Sequence, residues 1–293
     1  MNKIDFYEQR IRDIFPEISI ETISLNDEGL NDNILIVNQK LIFCFPKHEH
    51  ALNKIDIETK IIELIKPYVT LEVPNIFHKS SEVIAYFMIS GVTLRRDILL
   101  GLDEKTIQFI AEQLATFLKQ IHSIPIDEVL SLNIPIADVP SKYEDWVDLY
   151  KRIESEVFPH LMLHTREWAK NHFESFLDTK SNFEYEPKLI HGDLGPYHIL
   201  FDRQKNCING VIDFGSSGLG DPAMDIATVI HTYGESFLSR FENIYPELSS
   251  YLKRARFYAE TFELQWALSG INSKDITWFL GHLGSAKDIN YRT

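Results

Sequence analysis

The chain has 293 residues, enough for two packed lobes or one large domain, and its 44% hydrophobic and 25% charged content is ordinary for a water-soluble globular protein. Its 43 acids against 29 bases give a net charge of −14, which argues against nucleic acid or an anionic membrane as a partner and suits a cationic small molecule, although solubility alone also favours such a surface. No apolar run approaches the roughly 20 residues of a membrane span, the opening residues lack a signal-peptide core, and the two cysteines, Cys44 and Cys207, have no reason to pair, so a reducing cytoplasm is the expected compartment.

Residues 4–15 predict a short amphipathic helix with Phe6, Ile11, Ile14 and Phe15 on one side. Ser19 to Leu25, Ile34 to Val37 and Leu41 to Phe45 read as strands, with Asn38-Gln39-Lys40 as a tight hairpin connection. A helix follows over 53–65 with Ile57, Ile61, Leu64 and Ile65 as its stripe, then strands over 73–77 and 83–89. Ser90-Gly91 marks a change to helix-rich sequence, and the boundary is placed there: residues 1–91 form a small, mostly β lobe and 92–293 a larger helical one, an α+β class. In the second part Ile107, Ile110, Ala111, Leu114, Leu118 and Ile121 keep helical spacing. One or two helices fall within 143–178, short strands flank a turn between Ile199 and Ile212, Asp221-Pro222-Ala223 starts a helix, and a last helical region runs from about Ser249 to Leu283.

The chemistry concentrates in His191-Gly192-Asp193-Leu194-Gly195-Pro196-Tyr197-His198 and in Val211-Ile212-Asp213-Phe214-Gly215. Asp193 is a carboxylate able to take a proton from an alcohol. His198 follows five residues later, the spacing at which the protein-kinase loop places its base and its metal-binding Asn, and Asp213 opens an Asp-Phe-Gly triplet. An imidazole can hold Mg²⁺, though it is softer than that ion prefers. His191 is read as a brace for the loop, Asp221 as a helix cap and Asp225 as a carboxylate that satisfies the loops around it.

These motifs resemble the aminoglycoside phosphotransferase family, kin of choline and protein kinases, most specifically over residues 188–230 and in architecture over nearly the whole chain. The 2″-phosphotransferase branch is the most similar, and macrolide phosphotransferases share a very similar loop. The resemblance implies a bilobal protein-kinase-like fold, with the nucleotide held by the N-terminal lobe and the acceptor by the helical one. It implies a cytoplasmic monomer that moves the γ-phosphoryl of ATP or GTP to a hydroxyl of a small cationic molecule, with Mg²⁺ as cofactor and antibiotic resistance as the setting. Neither nucleic acid nor membrane is a partner on this reading. Asp193 is then the catalytic carboxylate and His198 and Asp213 the metal ligands. Tyr86 sits at the back of the nucleotide pocket, main-chain groups near Phe87 and Ile89 meet the purine, and Glu58 is the helix glutamate that pairs with a strand lysine. Either purine fits.

That lysine is missing. Cys44 stands where the family carries Lys or Arg, and strand parity puts Lys47 on the opposite face unless Pro46 bends it inward. The loop Asn26 to Asn33 lacks the glycine pattern of a phosphate loop and carries acids. For a cationic acceptor, Glu235, Glu263 and Trp266 fall in the regions that would line the cleft. The alternatives are a kinase for a macrolide or a metabolic amino alcohol, and a catalytically weak nucleotide-binding protein of the same fold.

Overall fold

Asn2 starts the first helix with a capping box: its side chain accepts from the Asp5 N–H and the Asp5 carboxylate accepts from the Asn2 N–H. In the resulting α1 (Lys3–Ile14) and its C-cap, Ile11 and Phe15 lie four residues apart and both are buried. Phe6 does not join that face. It is 44% exposed, because five residues rotate it about 140° from Ile11. Tyr7, one turn before Ile11, takes its place and packs on Phe45 with ring centroids 4.8 Å apart.

The computed structural model describes residues 2–27, 32–275, 279, 281 and 282, and the side chains of 49–53 are outside that description. Two compact units result, Met1–Pro135 with Pro196–Gly215, and Ile136–Gly195 with Ser216–Thr293.

In the first unit, β1 (Ile23–Asn26), β2 (Asp32–Val37) and β3 (Leu41–Pro46) precede α2 (Glu49–Ile65), and β4 (Asn75–Lys79) and β5 (Ile84–Phe87) follow it. They form an antiparallel sheet in the order β1-β2-β3-β5-β4. The β2–β3 connection is the tight hairpin its sequence predicts. Asn38 and Gln39 are both left-handed, with φ of 53° and 52°, as a two-residue turn that matches strand twist requires. Alternation along β2 buries Leu35 and Val37, which join Ile11, Phe15, Phe43, Phe45, Val83 and Ala85 in one core. Each of these side chains except Ala85 contributes about 1.5–3 kcal/mol on burial. Two strands are shifted from expectation. Ile18 and Ile20 pack on this core ahead of β1, and Pro74, which has no N–H to give a ladder, delays β4 to Asn75.

Next come β6 (Val92–Thr93), α3 (Arg96–Leu100), α4 (Glu104–His122) and α5 (Ile126–Ser131). Asp103 caps α4 by accepting from the Thr106 N–H, and Ile110, Ala111, Leu114, Leu118 and Ile121 are buried along it. The chain then builds the second unit's α6 (Tyr143–Arg152), α7 (Leu163–Leu177) and β7 (Lys188–Ile190), returns to the first unit for β8 (Ile199–Asp202) and β9 (Cys207–Val211), and completes the second with β10 (Gly218–Gly220), α8 (Ala223–Tyr233), α9 (Glu235–Leu238) and α10 (Leu252–Ser273).

The second unit is organised by α8 against α10. Ile226, Ala227, Val229 and Tyr233 are buried on α8, and Trp146 of α6 stacks on Tyr258 of α10 at 4.6 Å and 4°. Asp221 does more than start α8. Its Oδ1 accepts from the Ala223 N–H, but the carboxylate, 3% exposed, is also gripped by Arg254 at 2.5 and 3.0 Å and by the Tyr258 hydroxyl at 3.0 Å. Lys274, left-handed at φ 57°, caps α10. Residues 276–278, 280 and 283 of the predicted helical continuation to Leu283 lie outside the described residues. Among the described residues no helix is long and apolar enough to cross a membrane.

Candidate active site

The loop that follows β7 is shaped from beneath by one buried acid. Asp225 on α8 is wholly buried, and its two oxygens accept from the backbone N–H groups of His191 at 2.9 Å and Gly192 at 2.8 Å. The His191 ring is equally buried. Its Nδ1 accepts from the Asp193 N–H at 3.3 Å, and its carbonyl accepts from the Ser217 hydroxyl at 2.8 Å. At Gly192 φ is +82°, and a Cβ there would lie 2.5 Å from the Ser216 carbonyl, so only glycine fits. A loop tied at these points leaves the Asp193 side chain exposed.

The hairpin of β8 and β9 positions the next two candidates. Its ladder pairs Ile199 with Val211 and runs one step further, where the Ile212 N–H donates to the His198 carbonyl at 3.0 Å. His198 and Asp213 thereby leave the sheet side by side, with Nε2 3.3 Å from Oδ2. Asp213 is left-handed at φ 67°, an uncommon conformation outside glycine and one that concentrates at functional sites. The hairpin is anchored from α4, where the Gln113 amide both donates to the Ile208 carbonyl and accepts from its N–H.

Asp32, Cys44, Glu58, Tyr86 and Asp213 form one electrostatic neighbourhood in the first unit. The Phe214 N–H donates to Glu58 Oε1 at 3.3 Å. Burial, then the charges of Asp213 and Asp32, push the Glu58 carboxyl up to about 8. A strand lysine would have done the reverse. Cys44 Sγ lies 3.9 Å from the Tyr86 hydroxyl, and burial with the nearby acids pushes its thiol far up, so it supplies no charge of either sign. Lys47 lies beyond the end of β3, exposed, with Nζ donating to the Asp27 carbonyl at 2.8 Å. Its charge still reaches Asp32. Phe87 is 51% exposed and Ile89 is buried, and a cavity of about 390 Å³ opens beside them against Lys66, Glu72 and Asn75. Residues 28–31 of the acidic loop lie outside the described residues.

The three acceptor candidates do not form one patch of free carboxylates. Glu235 holds Arg256 in a two-point ion pair at 2.8 and 2.7 Å, which draws its carboxyl below the ordinary range. Glu263 faces two imidazoles, His231 Nε2 at 3.4 Å and His282 Nδ1 at 2.9 Å. Trp266 meets both histidine rings, at 5.0 and 4.8 Å. A separate cavity of about 530 Å³ in this unit is bounded by residues 136–142 and by α6, with Asp138 and Asp148 among its walls, and holds none of the three.

Residues 22–258 match the model of the phosphotransferase enzyme family. The chain belongs to that family. Viomycin phosphotransferase of Streptomyces vinaceus is 28% identical over 154 residues, 52% of this chain, which spans 50% of that protein's length. A solved GDP complex of wild-type aminoglycoside 2′-phosphotransferase-IIIa superposes with a TM-score of 0.85 at 25% identity, covering 96% of both chains. Macrolide 2′-phosphotransferase type I superposes with a TM-score of 0.77 over 99% of each chain at 18% identity, a likeness of fold alone.

For a phosphotransferase the implied cofactor is Mg²⁺, and the donors suit it. Octahedral ligation with bonds of about 2.1 Å puts neighbouring ligand atoms roughly 3 Å apart, and His198 Nε2 and Asp213 Oδ2 are 3.3 Å apart. Among the described residues no group of three or more His, Cys, Asp or Glu side chains could hold a metal ion, so water and phosphate oxygens would have to complete such a site. The partners missed from sequence are Arg256, His231 and His282. Contacts of Glu235 with a residue 21 positions on, and of Glu263 with residues 32 before and 19 after it, leave no local pattern to read.

Proposed function

We propose that this chain transfers the γ-phosphoryl of ATP or GTP to a hydroxyl of a small cationic molecule, an aminoglycoside being the first candidate, with Mg²⁺ as cofactor. The observation that carries this is the His198–Asp213 pair, 3.3 Å apart, in a chain whose Asp193 stands five residues before His198. The GDP bound by aminoglycoside 2′-phosphotransferase-IIIa supports a nucleotide donor. On this reading residues 1–91 hold the nucleotide, through Tyr86, main-chain groups near Phe87 and Ile89, and Lys47. The helical part of 92–293 holds the acceptor.

Asp193 accepts a hydrogen bond from the acceptor hydroxyl, aims it in line with the γ-phosphorus, and takes its proton as the new P–O bond forms and the bond from the γ-phosphorus to the β–γ bridging oxygen breaks, with that electron pair leaving on ADP or GDP. Because the transition state of phosphoryl transfer is loose, this carboxylate orients more than it deprotonates. His198 and Asp213 would hold Mg²⁺, which when bound neutralises charge on the phosphates. The buried Asp225 keeps the His191–Gly192 backbone in the one shape that presents Asp193.

Cys44 favours a second reading, in which the protein binds nucleotide weakly and turns over slowly. Glu58, lifted to about 8, pairs with no strand lysine. A macrolide or a metabolic amino alcohol are the alternative acceptors. The deciding experiment incubates purified protein with Mg²⁺ and ATP or GTP and a panel of kanamycin, viomycin, erythromycin and choline, and reads by mass spectrometry the gain of one phosphoryl group. Phosphorylated kanamycin or viomycin supports the first reading. Nucleotide-induced thermal stabilisation without any phosphorylated product favours the second, and neither response sinks both.

A further inference from the structure

We propose that the cavity of about 530 Å³ between residues 136–142 and α6 binds an amino-sugar ring of the acceptor, its apolar wall taking the ring face and Asp138 and Asp148 its ammonium groups. The inference rests on the cationic-acceptor reading and places that acceptor in a cavity that Glu235, Glu263 and Trp266 do not line.

One wall is an extended segment pinned to the strands that lead into the catalytic loop. Ile136 bridges Leu219 in parallel, the Ala137 N–H donates to the Leu219 carbonyl at 3.0 Å, and β10 in turn pairs with β7, which runs into His191. The other wall is one face of α6. Asp145, Asp148, Leu149 and Arg152 recur at the i, i+3, i+4 and i+7 spacing of a single helix face, while Trp146 turns to the core and stacks on Tyr258. Asp145 closes the corner between the walls: its Oδ2 accepts from the N–H groups of Ser141 and Lys142 and from the Ser141 hydroxyl, each at 3.1 Å.

The cavity adjoins the catalytic loop. The Asp138 N–H donates to the Ser216 carbonyl at 3.3 Å, and the same carbonyl lies against Gly192, where a Cβ would sit 2.5 Å from it. Asp193 is the next residue. Only the chain at Ser216 therefore separates the Asp138 backbone from the loop that presents the catalytic carboxylate. The lining suits a ring that is apolar on its face and cationic at its edge. Ligand cavities usually enclose about 300–1,000 Å³ behind mostly apolar walls with a few placed polar groups. Ile136, 66% exposed, offers its surface together with Val139 and Leu149. Two bases also line the cavity. Lys142 is exposed, and Arg152 is drawn along the helix to Glu156 at 3.3 Å. Asp148 meets Lys151 at 3.5 Å, but with side chains 76% and 68% exposed that pair is too loose to exclude a ligand's ammonium group. A carboxylate thus stands on each wall, and a neutral ring gains only the apolar contact.

The test measures KM and kcat for kanamycin, and KM for nucleotide, in the wild type, Asp148→Asn, Asp138→Asn/Asp148→Asn, Val139→Trp and the comparison variant Glu263→Gln, with thermal melts to show that each is folded. Asp148→Asn should raise the kanamycin KM about five-fold, the size of one partly exposed charge contact, and the double variant about 20-fold, since the two carboxylates act from separate walls. Val139→Trp fills the cavity without changing its charge and should raise it about ten-fold, while nucleotide KM stays within about two-fold of wild type throughout. Calorimetric Kd values for kanamycin should rank the variants in the same order without turnover. Asp148→Asn and Val139→Trp decide the matter even where the Asp138 substitution disturbs folding. An unchanged kanamycin KM in both, a nucleotide KM that rises in step, or a rise confined to Glu263→Gln overturns the site. A wild type that neither binds nor phosphorylates kanamycin or viomycin overturns the cationic-acceptor reading beneath it, an outcome distinct from turnover with an unaltered KM.

Discussion

Glu58 is an acid set beside two others, Asp213 and Asp32, and its effect on stability has a definite sign. Its carboxyl moves from the ordinary 4.5 to about 8, first through burial and then through Asp213 and Asp32. Between those values the folded state retains a proton that the unfolded chain has released. Stability therefore falls as pH rises through that window, and the loss is complete above about 8. The interval converts to roughly 5 kcal/mol at 1.36 kcal/mol per pH unit, and solvent reaching this partly open side chain reduces it to about 2 kcal/mol. Glu58→Gln keeps the acceptor oxygen facing the Phe214 N–H and removes the titration. Thermal unfolding of both proteins at a series of pH values should give coincident midpoints near pH 5 and a variant more stable by about 4–8 °C at alkaline pH. Cys44→Lys should do more, since an ammonium beside Glu58 favours the carboxylate and reverses the slope. It should also tighten ADP or GDP binding by about ten-fold through a charge-assisted phosphate contact. Parallel profiles for wild type and Glu58→Gln would refute the reasoning, because Glu58 would then titrate alike in the folded and unfolded chain.

Two further outcomes follow from the loops. Asp225→Ala strands the N–H groups of His191 and Gly192 in a buried site and should cost about 2–4 kcal/mol in urea unfolding, with transfer activity falling alongside. His198→Ala should raise the Mg²⁺ concentration needed for half-maximal transfer by about ten-fold or more while nucleotide binding without metal stays within about two-fold of wild type; an unaltered Mg²⁺ requirement would remove His198 from the metal site.

Much of the site was legible because its determinants are local. The short apolar runs on either side of the Asp202–Asn206 turn make the hairpin of β8 and β9, and its base sets His198 and Asp213 side by side. The helix of 104–122 was equally readable, with a cap at Asp103 and apolar residues in register. The misreadings arise where distant residues decide. The amphipathic pattern puts Phe6 on the apolar side of the first helix, yet Phe6 is exposed and Tyr7 packs on Phe45. Asp221 accepts from the Ala223 N–H as its position before the helix leads one to expect, but its grip by Arg254, 33 residues on, is not legible locally. Glu235 and Glu263, expected in the regions that would line an acceptor cleft, also engage Arg256, His231 and His282, which no local pattern announces. Periodicity and spacing report neighbours along the chain, and none of these partners is one.

The proposed transfer depends on Asp193 acting on the acceptor hydroxyl. The most direct measurement is phosphoryl transfer by Asp193→Ala, using the best acceptor from the panel, alongside nucleotide affinity by calorimetry. Transfer should fall by about 10²–10⁴-fold with nucleotide affinity within about two-fold of wild type. Turnover within several-fold of wild type would mean that another group, or none, receives the proton, and the proposed function would have no mechanism in this loop.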